Sequence, residues 1–226
     1  MNKAKISEIF FSVQGEGLYA GSAQVFIRFF GCNIRCRYCD TKFSRFDEYD
    51  AKALAAAAGK LAQRYNAGYI SLTGGEPLLQ ADFIAEFLKK NKFKKQRIYL
   101  ETNGILYEDF SRLKGLIDIV SMDVKLPSAS GVRPYWLEHE KFLRLARQHD
   151  VFVKAVVTGA TLFDDIKKTV SLLRKAGRNI PLVFQPEYSR LSEKLMKKII
   201  KFQIYAAGYL PDVRVIPQMH RIMGVK

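Results

Sequence analysis

A chain of 226 residues, 48% hydrophobic and 26% charged, is long enough for one domain with a sizeable core. It contains no stretch of the ~18 apolar residues that a membrane span needs. The amino terminus, Met1-Asn2-Lys3-Ala4-Lys5, has no apolar signal core, so a cytoplasmic protein with reduced thiols is expected. The formal net charge of +15 invites a nucleic-acid hypothesis. Its lysines and arginines, however, are spread along helices and their ends, as at 89–95 and 194–201, where such runs read as solvated faces or as attraction for anionic ligands.

In chain order, β and α signals alternate. Residues 5–13 and 25–30 read as strands joined by a glycine-containing connection, and a cysteine-bearing loop follows at 31–41. Residues 51–64 form an alanine-rich helix with Asp50 as N-cap. A short apolar strand at 69–73 ends in Gly74-Gly75, and a helix covers 81–90. Strands are expected at 97–101, 117–124, 151–157, 180–185 and 213–217, with helices at 109–113, 134–149, 161–176 and 192–207 between them. Strands spaced by helices imply a parallel sheet with right-handed crossovers. About six βα units follow from the strand that enters the cysteine loop, fewer than the eight of a closed barrel, so a partial, open α/β barrel is the expected fold class. Thr73, Glu101, Lys125 and Gln185 stand at strand C-terminal ends, the edge where parallel α/β sheets carry their sites. No internal repeat, low-complexity segment or linker divides the chain, and 1–226 is read as a single domain.

All three cysteines, Cys32, Cys36 and Cys39, lie within eight residues in a C-x3-C-x2-C pattern. Buried free thiols are one reading, but Asn33, Arg35 and Arg37 between them are not core residues. Zinc with a histidine as fourth ligand is another, although His139, His149 and His220 lack local ligand spacing. The odd count disfavours a disulfide. An iron–sulfur cluster is preferred: three thiolates leave one iron of a 4Fe–4S cluster without a protein ligand, open to a small molecule.

C-x3-C-x2-C followed by Asp40-Thr41, with Tyr38 before the last cysteine and Thr73-Gly74-Gly75-Glu76-Pro77 after an apolar run, resembles the radical S-adenosylmethionine (SAM) superfamily. The resemblance implies a 4Fe–4S cluster held by the three cysteines, SAM on the open iron, and a glycine-rich segment against the SAM amino group. Ser12-Val13-Gln14-Gly15-Glu16-Gly17, Arg28, and the tail Gln218-Met219-His220 narrow it further: from Lys5 onward the chain is similar to the 7-carboxy-7-deazaguanine synthases. That family converts 6-carboxy-5,6,7,8-tetrahydropterin to 7-carboxy-7-deazaguanine by radical ring contraction with loss of ammonia, on the path to queuosine and related 7-deazaguanines. Its members are lyases that use SAM, the cluster and Mg²⁺, and are typically homodimers.

By that resemblance, Val13, Gln14, Gly15, Glu16, Arg28 and Thr73 contact the pterin, and Gln218 and His220 join them from a tail at about 213–226 that closes over the substrate. Arg28 is the expected grip on the substrate carboxylate, since a guanidinium binds one bidentately; a surface ion pair is its other reading. Thr41 maps to the magnesium position, where a hydroxyl is a hard oxygen ligand, and otherwise reads as a loop cap. Tyr38, Gly75, Glu76, Ser121, Lys125 and Gln185 are expected around SAM, with Glu101 and Asn103 as further pocket residues. Where many members carry Ser-Pro-Lys, this chain reads Ser121-Met122-Asp123-Val124-Lys125. A flavodoxin- or ferredoxin-type electron donor is implied, one that the basic surface would attract.

Two other functions compete. A glycyl-radical-activating enzyme shares the cysteine motif, and Asp123-x-Lys125 resembles a SAM-contacting pair of that family. The set from Gln14 to Arg28 and the Gln218-x-His220 tail favour the pterin enzyme. A non-catalytic metal or RNA-binding module would rest on the +15 charge alone, with no RNA-reading aromatic motif to support it.

Overall fold

The computed structural model describes residues 2–91, 93, 95–177 and 179–225. Lys92 and Lys94 of the basic run, and the chain ends Met1 and Lys226, lie outside the described residues. Ten strand residues, β1 (Ala4–Val13), turn back into β2 (Ala23–Phe29). After the cysteine loop come a three-residue strand β3 (Asp47–Tyr49) and helix α1 (Ala51–Arg64). Then follow β4 (Tyr69–Gly74), α2 (Ala81–Lys90), β5 (Arg97–Thr102), α3 (Tyr107–Ser111), β6 (Ile119–Asp123), α4 (Pro127–Ser130) and α5 (Trp136–Ala146). The chain ends with β7 (Asp150–Val157), α6 (Phe163–Lys175), β8 (Leu182–Pro186), α7 (Glu193–Ala207), β9 (Val213–Val215) and α8 (Met219–Met223). Among the described residues no helix is long and apolar enough to cross a membrane.

The strands form one sheet in the order β3-β1-β2-β4-β5-β6-β7-β8-β9. From β2 to β9 every neighbouring pair is parallel, and β1 and β3 extend the sheet antiparallel. β3 and β9 are its two edges, so the barrel stays open, as expected from six βα units. One face of every parallel strand is apolar and packs under the helices: Ile70 and Leu72, Ile98 and Leu100, Val120 and Met122, Val153 and Ala155, Leu182 and Phe184 all belong to the main core. Each such large side chain contributes about 1.5–3 kcal/mol by leaving water. α1 starts where Asp50 accepts the Ala53 N–H at 2.8 Å, and α7 where Ser192 accepts the Leu195 N–H at 3.3 Å.

The opposite, concave face changes character along each strand. Period-two alternation puts Tyr99, Ile119, Phe152 and Val183 on it near the strand starts, where they form a second, small apolar cluster. Leu18 and Tyr19, from the β1–β2 connection, plug this layer from below. Two or four residues further on, the same alternation delivers Thr73, Glu101, Ser121, Asp123, Lys154 and Gln185 to the upper rim, where an open cavity begins.

Of the elements that depart from the sequence-based reading, three do so for identifiable reasons. β3 has no alternation of its own and is a strand because β1 offers it a free edge, Ala4 facing Tyr49. α5 starts at Trp136 and ends at Ala146, shorter than 134–149, because His149 turns back to bond the Ile117 carbonyl at 2.9 Å. α8 is too short to hold itself; its first N–H, on Met219, bonds the Gly15 carbonyl at 2.8 Å.

Candidate active site

One cavity of about 780 Å³ opens at the C-terminal ends of the parallel strands. Its wall contains Cys32, Cys36, Cys39 and Thr41 from the cysteine loop, Tyr38 beside them, and Val13, Gln14, Gly15 and Glu16 from the β1–β2 turn. Arg28, Thr73, Gly75, Ser121, Lys125 and Gln185 come from strand ends, and Gln218 and His220 from the tail. Seventeen of the residues expected from sequence therefore share one space.

Glu76 is the exception. Its side chain is fully buried behind the wall, and its carboxylate accepts from the Leu78 N–H at 3.1 Å, the Thr102 hydroxyl at 2.8 Å and the Asn103 N–H at 2.8 Å. In the structure Glu76 is a brace: it holds the end of β5 and the start of the Pro77–Gln80 turn. Burial pushes its carboxyl up to about 7, against those three donors, which favour the charged form.

The cysteine loop is held by close approach. A Cβ on Gly75 would lie 2.1 Å from the Gly31 carbonyl oxygen and 2.7 Å from Cys32 Cβ, so β4 and the loop meet only because residue 75 is glycine. Asn103 Nδ2 donates to Asn33 Oδ1 at 2.7 Å, and Arg37 N–H to the Ser130 carbonyl at 2.8 Å, fixing the loop from a second side. All three cysteines are free. Burial, and the charges of the neighbouring cysteines among others, push the thiols of Cys32 and Cys36 up, Cys36 to about 11. Three thiols so placed would ionise only with a cationic group between them. Among the described residues no three His, Cys, Asp or Glu side chains converge as tightly as a single ion requires; an iron–sulfur cluster spaces its ligands more widely. Two polar atoms in the wall, Gln185 Oε1 and Asp123 Oδ1, are buried with no hydrogen-bond partner among the described residues. Such orphaned acceptors await donors of a bound molecule, so the residues present fit a cluster with an amine- and hydroxyl-bearing cofactor beside it.

On the other side of the cavity the β1–β2 turn is tied to the strand ends. Gln14 is buried; its side chain accepts from the Glu16 N–H at 3.0 Å and donates to Glu101 at 2.8 Å. The second oxygen of Glu101 accepts from the Thr73 hydroxyl at 2.6 Å. Glu101 thus organises two of the residues expected to face substrate. Arg28 lines the cavity with its guanidinium 5.5 Å from the Phe10 ring centre and 3.8 Å from Glu8 on the adjacent strand, a long ion pair.

A chain of charges crosses the floor. Lys125 pairs with Asp123 at 2.9 Å, Asp123 with Lys154 at 3.5 Å, and Lys154 with Glu16, whose other oxygen accepts from Gln218 Nε2 at 2.7 Å. Burial alone would raise the Glu16 carboxyl, but the Lys154 charge and the bonds from Lys154 and Gln218 outweigh it and hold the group down at about 2. Burial works against the charge of Lys154, yet Glu16 and Asp123 leave its ammonium well above the ordinary lysine range. The tail is pinned from the rim as well, by Arg221 on Asp40 at 2.8 Å, and His220 fills the space that a Cβ on Gly15 would need.

Lys154 was not among the residues expected from sequence. The signal was available: it is the lone charge in Val151-Phe152-Val153-Lys154-Ala155-Val156-Val157, the same pattern that singled out Arg28 in Val-Phe-Ile-Arg-Phe-Phe. A buried charge in an apolar strand requires a partner. Asp123 was seen only as half of the Asp-x-Lys pair, and the structure forms that pair.

A model of the radical SAM superfamily matches residues 26–184. The 7-carboxy-7-deazaguanine synthase of Geobacter sulfurreducens is 36% identical, over 98% of this chain and 97% of its own. That of Archaeoglobus fulgidus is 34% identical, over 99% of this chain and the whole of its own. Among solved structures, QueE from Escherichia coli superposes with a TM-score of 0.67 at 20% identity, covering 96% of this chain and 95% of that one.

Proposed function

The chain belongs to the radical SAM superfamily and, within it, to the 7-carboxy-7-deazaguanine synthases, and from that membership we propose that its cavity converts 6-carboxy-5,6,7,8-tetrahydropterin to 7-carboxy-7-deazaguanine with release of ammonia. The observation that carries this reading is the gathering of the cysteine loop, the Gln14–Glu16 turn, Arg28 and the tail around one cavity. A glycyl-radical activase would need a groove for a protein substrate; here α8 and its bonds to Gly15 and Asp40 cover the rim.

When bound, the cluster and SAM supply one-electron, hydrogen-abstracting chemistry. Cys32, Cys36 and Cys39 would hold the cluster, and Gly75, Ser121, Lys125 and Gln185 with Tyr38 would surround SAM. Arg28 takes the substrate carboxylate, where a guanidinium gives both charge and orientation. Glu101, already aligned by Gln14 and Thr73, offers its carboxylate to the N–H edge of the pterin. Thr41 would offer a hydroxyl oxygen, a hard ligand, to Mg²⁺. Gln218 and His220 shut the cavity against water, so that the reacting hydrogen meets only its acceptor. The enzyme works as a homodimer and takes its electron from a flavodoxin- or ferredoxin-type donor in the cytoplasm; a basic surface suits an acidic donor.

The test is anaerobic. Reconstituted protein is given SAM, reductant, Mg²⁺ and 6-carboxytetrahydropterin, and products are followed by mass spectrometry. The expected product is 7-carboxy-7-deazaguanine, absent for Cys36→Ala. Formation of 5′-deoxyadenosine with the pterin untouched would refute the substrate assignment.

A further inference from the structure

We propose that Lys154 is a positioning residue that locks the substrate-facing turn to the cofactor-facing strand edge, so that hydrogen abstraction is committed to the pterin. The inference rests on the function proposed above. Lys154 is on β7, buried to 9% exposure, in register with Asp123 on β6. Its ammonium reaches Glu16 in the β1–β2 turn, 138 positions away in the chain, and Asp123 at 3.5 Å. Asp123 in turn holds Lys125, and Glu16 holds Gln218 of the tail. One side chain therefore ties four parts of the cavity: turn, β6 end, β7 and tail.

The chemistry of the floor gives Lys154 this role. Glu16 and Asp123 are two partly buried carboxylates with a single ammonium between them, and like charges brought together in a site with little water repel strongly. With the cation removed, Glu16 keeps only Gln218 and Asp123 keeps only Lys125. The turn at Gly15 and Glu16 then relaxes away from the strand edge, carrying the α8 contact at Met219 with it, while Gln14 keeps its own bond to Glu101. Of the residues expected to hold SAM, only Lys125 touches this network, and it keeps its 2.9 Å pair with Asp123; Gly75 keeps its anchor through the loop and Gln185 through β8. The consequence is a loss of coupling: SAM is still cleaved, but the hydrogen of the pterin is no longer in reach. Because misplacement of about 1 Å lowers rates on the order of a hundredfold, the uncoupling should be large.

Lys154→Gln and Lys154→Arg are compared with wild type in two measurements. The first counts 5′-deoxyadenosine formed per 7-carboxy-7-deazaguanine in the reconstituted enzyme. The Gln variant should raise this ratio by roughly ten- to a hundredfold, and the Arg variant should return it toward wild type. The second is amide hydrogen exchange of the protein without cluster or substrate. In the Gln variant, exchange should quicken in residues 14–21 and 219–223 and stay unchanged in α6. If both products fall in parallel, or turn and tail exchange as in wild type, the proposal is wrong. Should Lys154→Gln not fold, the pair Glu16→Gln with Lys154→Met removes both buried charges and is read by the same exchange pattern. If wild type itself makes no deazaguanine, the functional reading fails, while the exchange result still decides whether Lys154 holds the turn.

Discussion

Glu101 shows how one carboxylate can order a stretch of cavity wall. It accepts from Gln14 and Thr73 and stands at the cavity wall. Hydrogen bonds to a charged group are worth about 1.5–3 kcal/mol, roughly ten- to a hundredfold in an equilibrium. Glu101→Gln should raise KM for the pterin by about that factor with a smaller change in kcat, measured by initial rates at saturating SAM. Acid stability is also decided at this scale. Burial pushes His139 down to about 4 from 6.5, so the unfolded chain takes up the proton first. Stability from this group is present above pH ~6.5 and lost as pH falls toward ~4. Glu16 is held at about 2 against 4.5, so its contribution is present above pH ~4.5 and lost as pH falls toward ~2. Glu76, pushed up to about 7, works the other way, adding stability as pH falls from ~7 toward ~4.5 and offsetting His139 there, so urea unfolding of the metal-free protein should weaken chiefly below pH ~4.5, and Glu16→Gln should remove most of that loss.

Elements carry the site through their ends. The close passage of β4 under the cysteine loop forbids any side chain at residue 75, where a Cβ would overlap the Gly31 carbonyl at 2.1 Å. Gly75→Ala should therefore displace the loop and lower the iron and sulfide bound per chain, by chemical assay, while secondary structure by circular dichroism is kept. Asp50 is the contrasting case. Its carboxylate caps α1 and faces away from the cavity; Asp50→Ala should cost about 1 kcal/mol of stability with turnover unchanged. Together the two variants separate a residue that builds the site from one that only holds a helix.

At the scale of the whole molecule, the tail is the last piece of wall. Gln218, Met219 and Arg221 bond to Glu16, Gly15 and Asp40, residues at opposite sides of the mouth. A chain ending at Pro217 should still cleave SAM but make little 7-carboxy-7-deazaguanine, a split visible in a single mass-spectrometric assay of both products. An outcome in which both activities persist would show that the tail does not complete the substrate site.

Much of this molecule is local in origin. Three cysteines in eight residues, a glycine pair ending an apolar strand, and helices spaced between strands all sit within short windows. Periodicity and spacing act over such windows, which is why the cysteine loop, the alternation of strands with helices and the polar strand ends were legible without coordinates. Arg28 could be read in the same way, as a charge that an apolar strand cannot leave unpaired. The partnerships were not legible. Lys154 meets Glu16 across 138 positions, Gln218 meets Glu16 across 202, and Glu76 turns from the cavity to brace β5. Nothing near these residues in the chain specifies those meetings. They arise from sheet register, which sets Asp123 beside Lys154, and from the curvature that brings a turn, a strand edge and a tail to one rim. The sequence by itself determined which chemistry the chain can hold; the tertiary structure decided which side chains are charged against one another around it, because electrostatic contacts depend on distance in space and not along the chain.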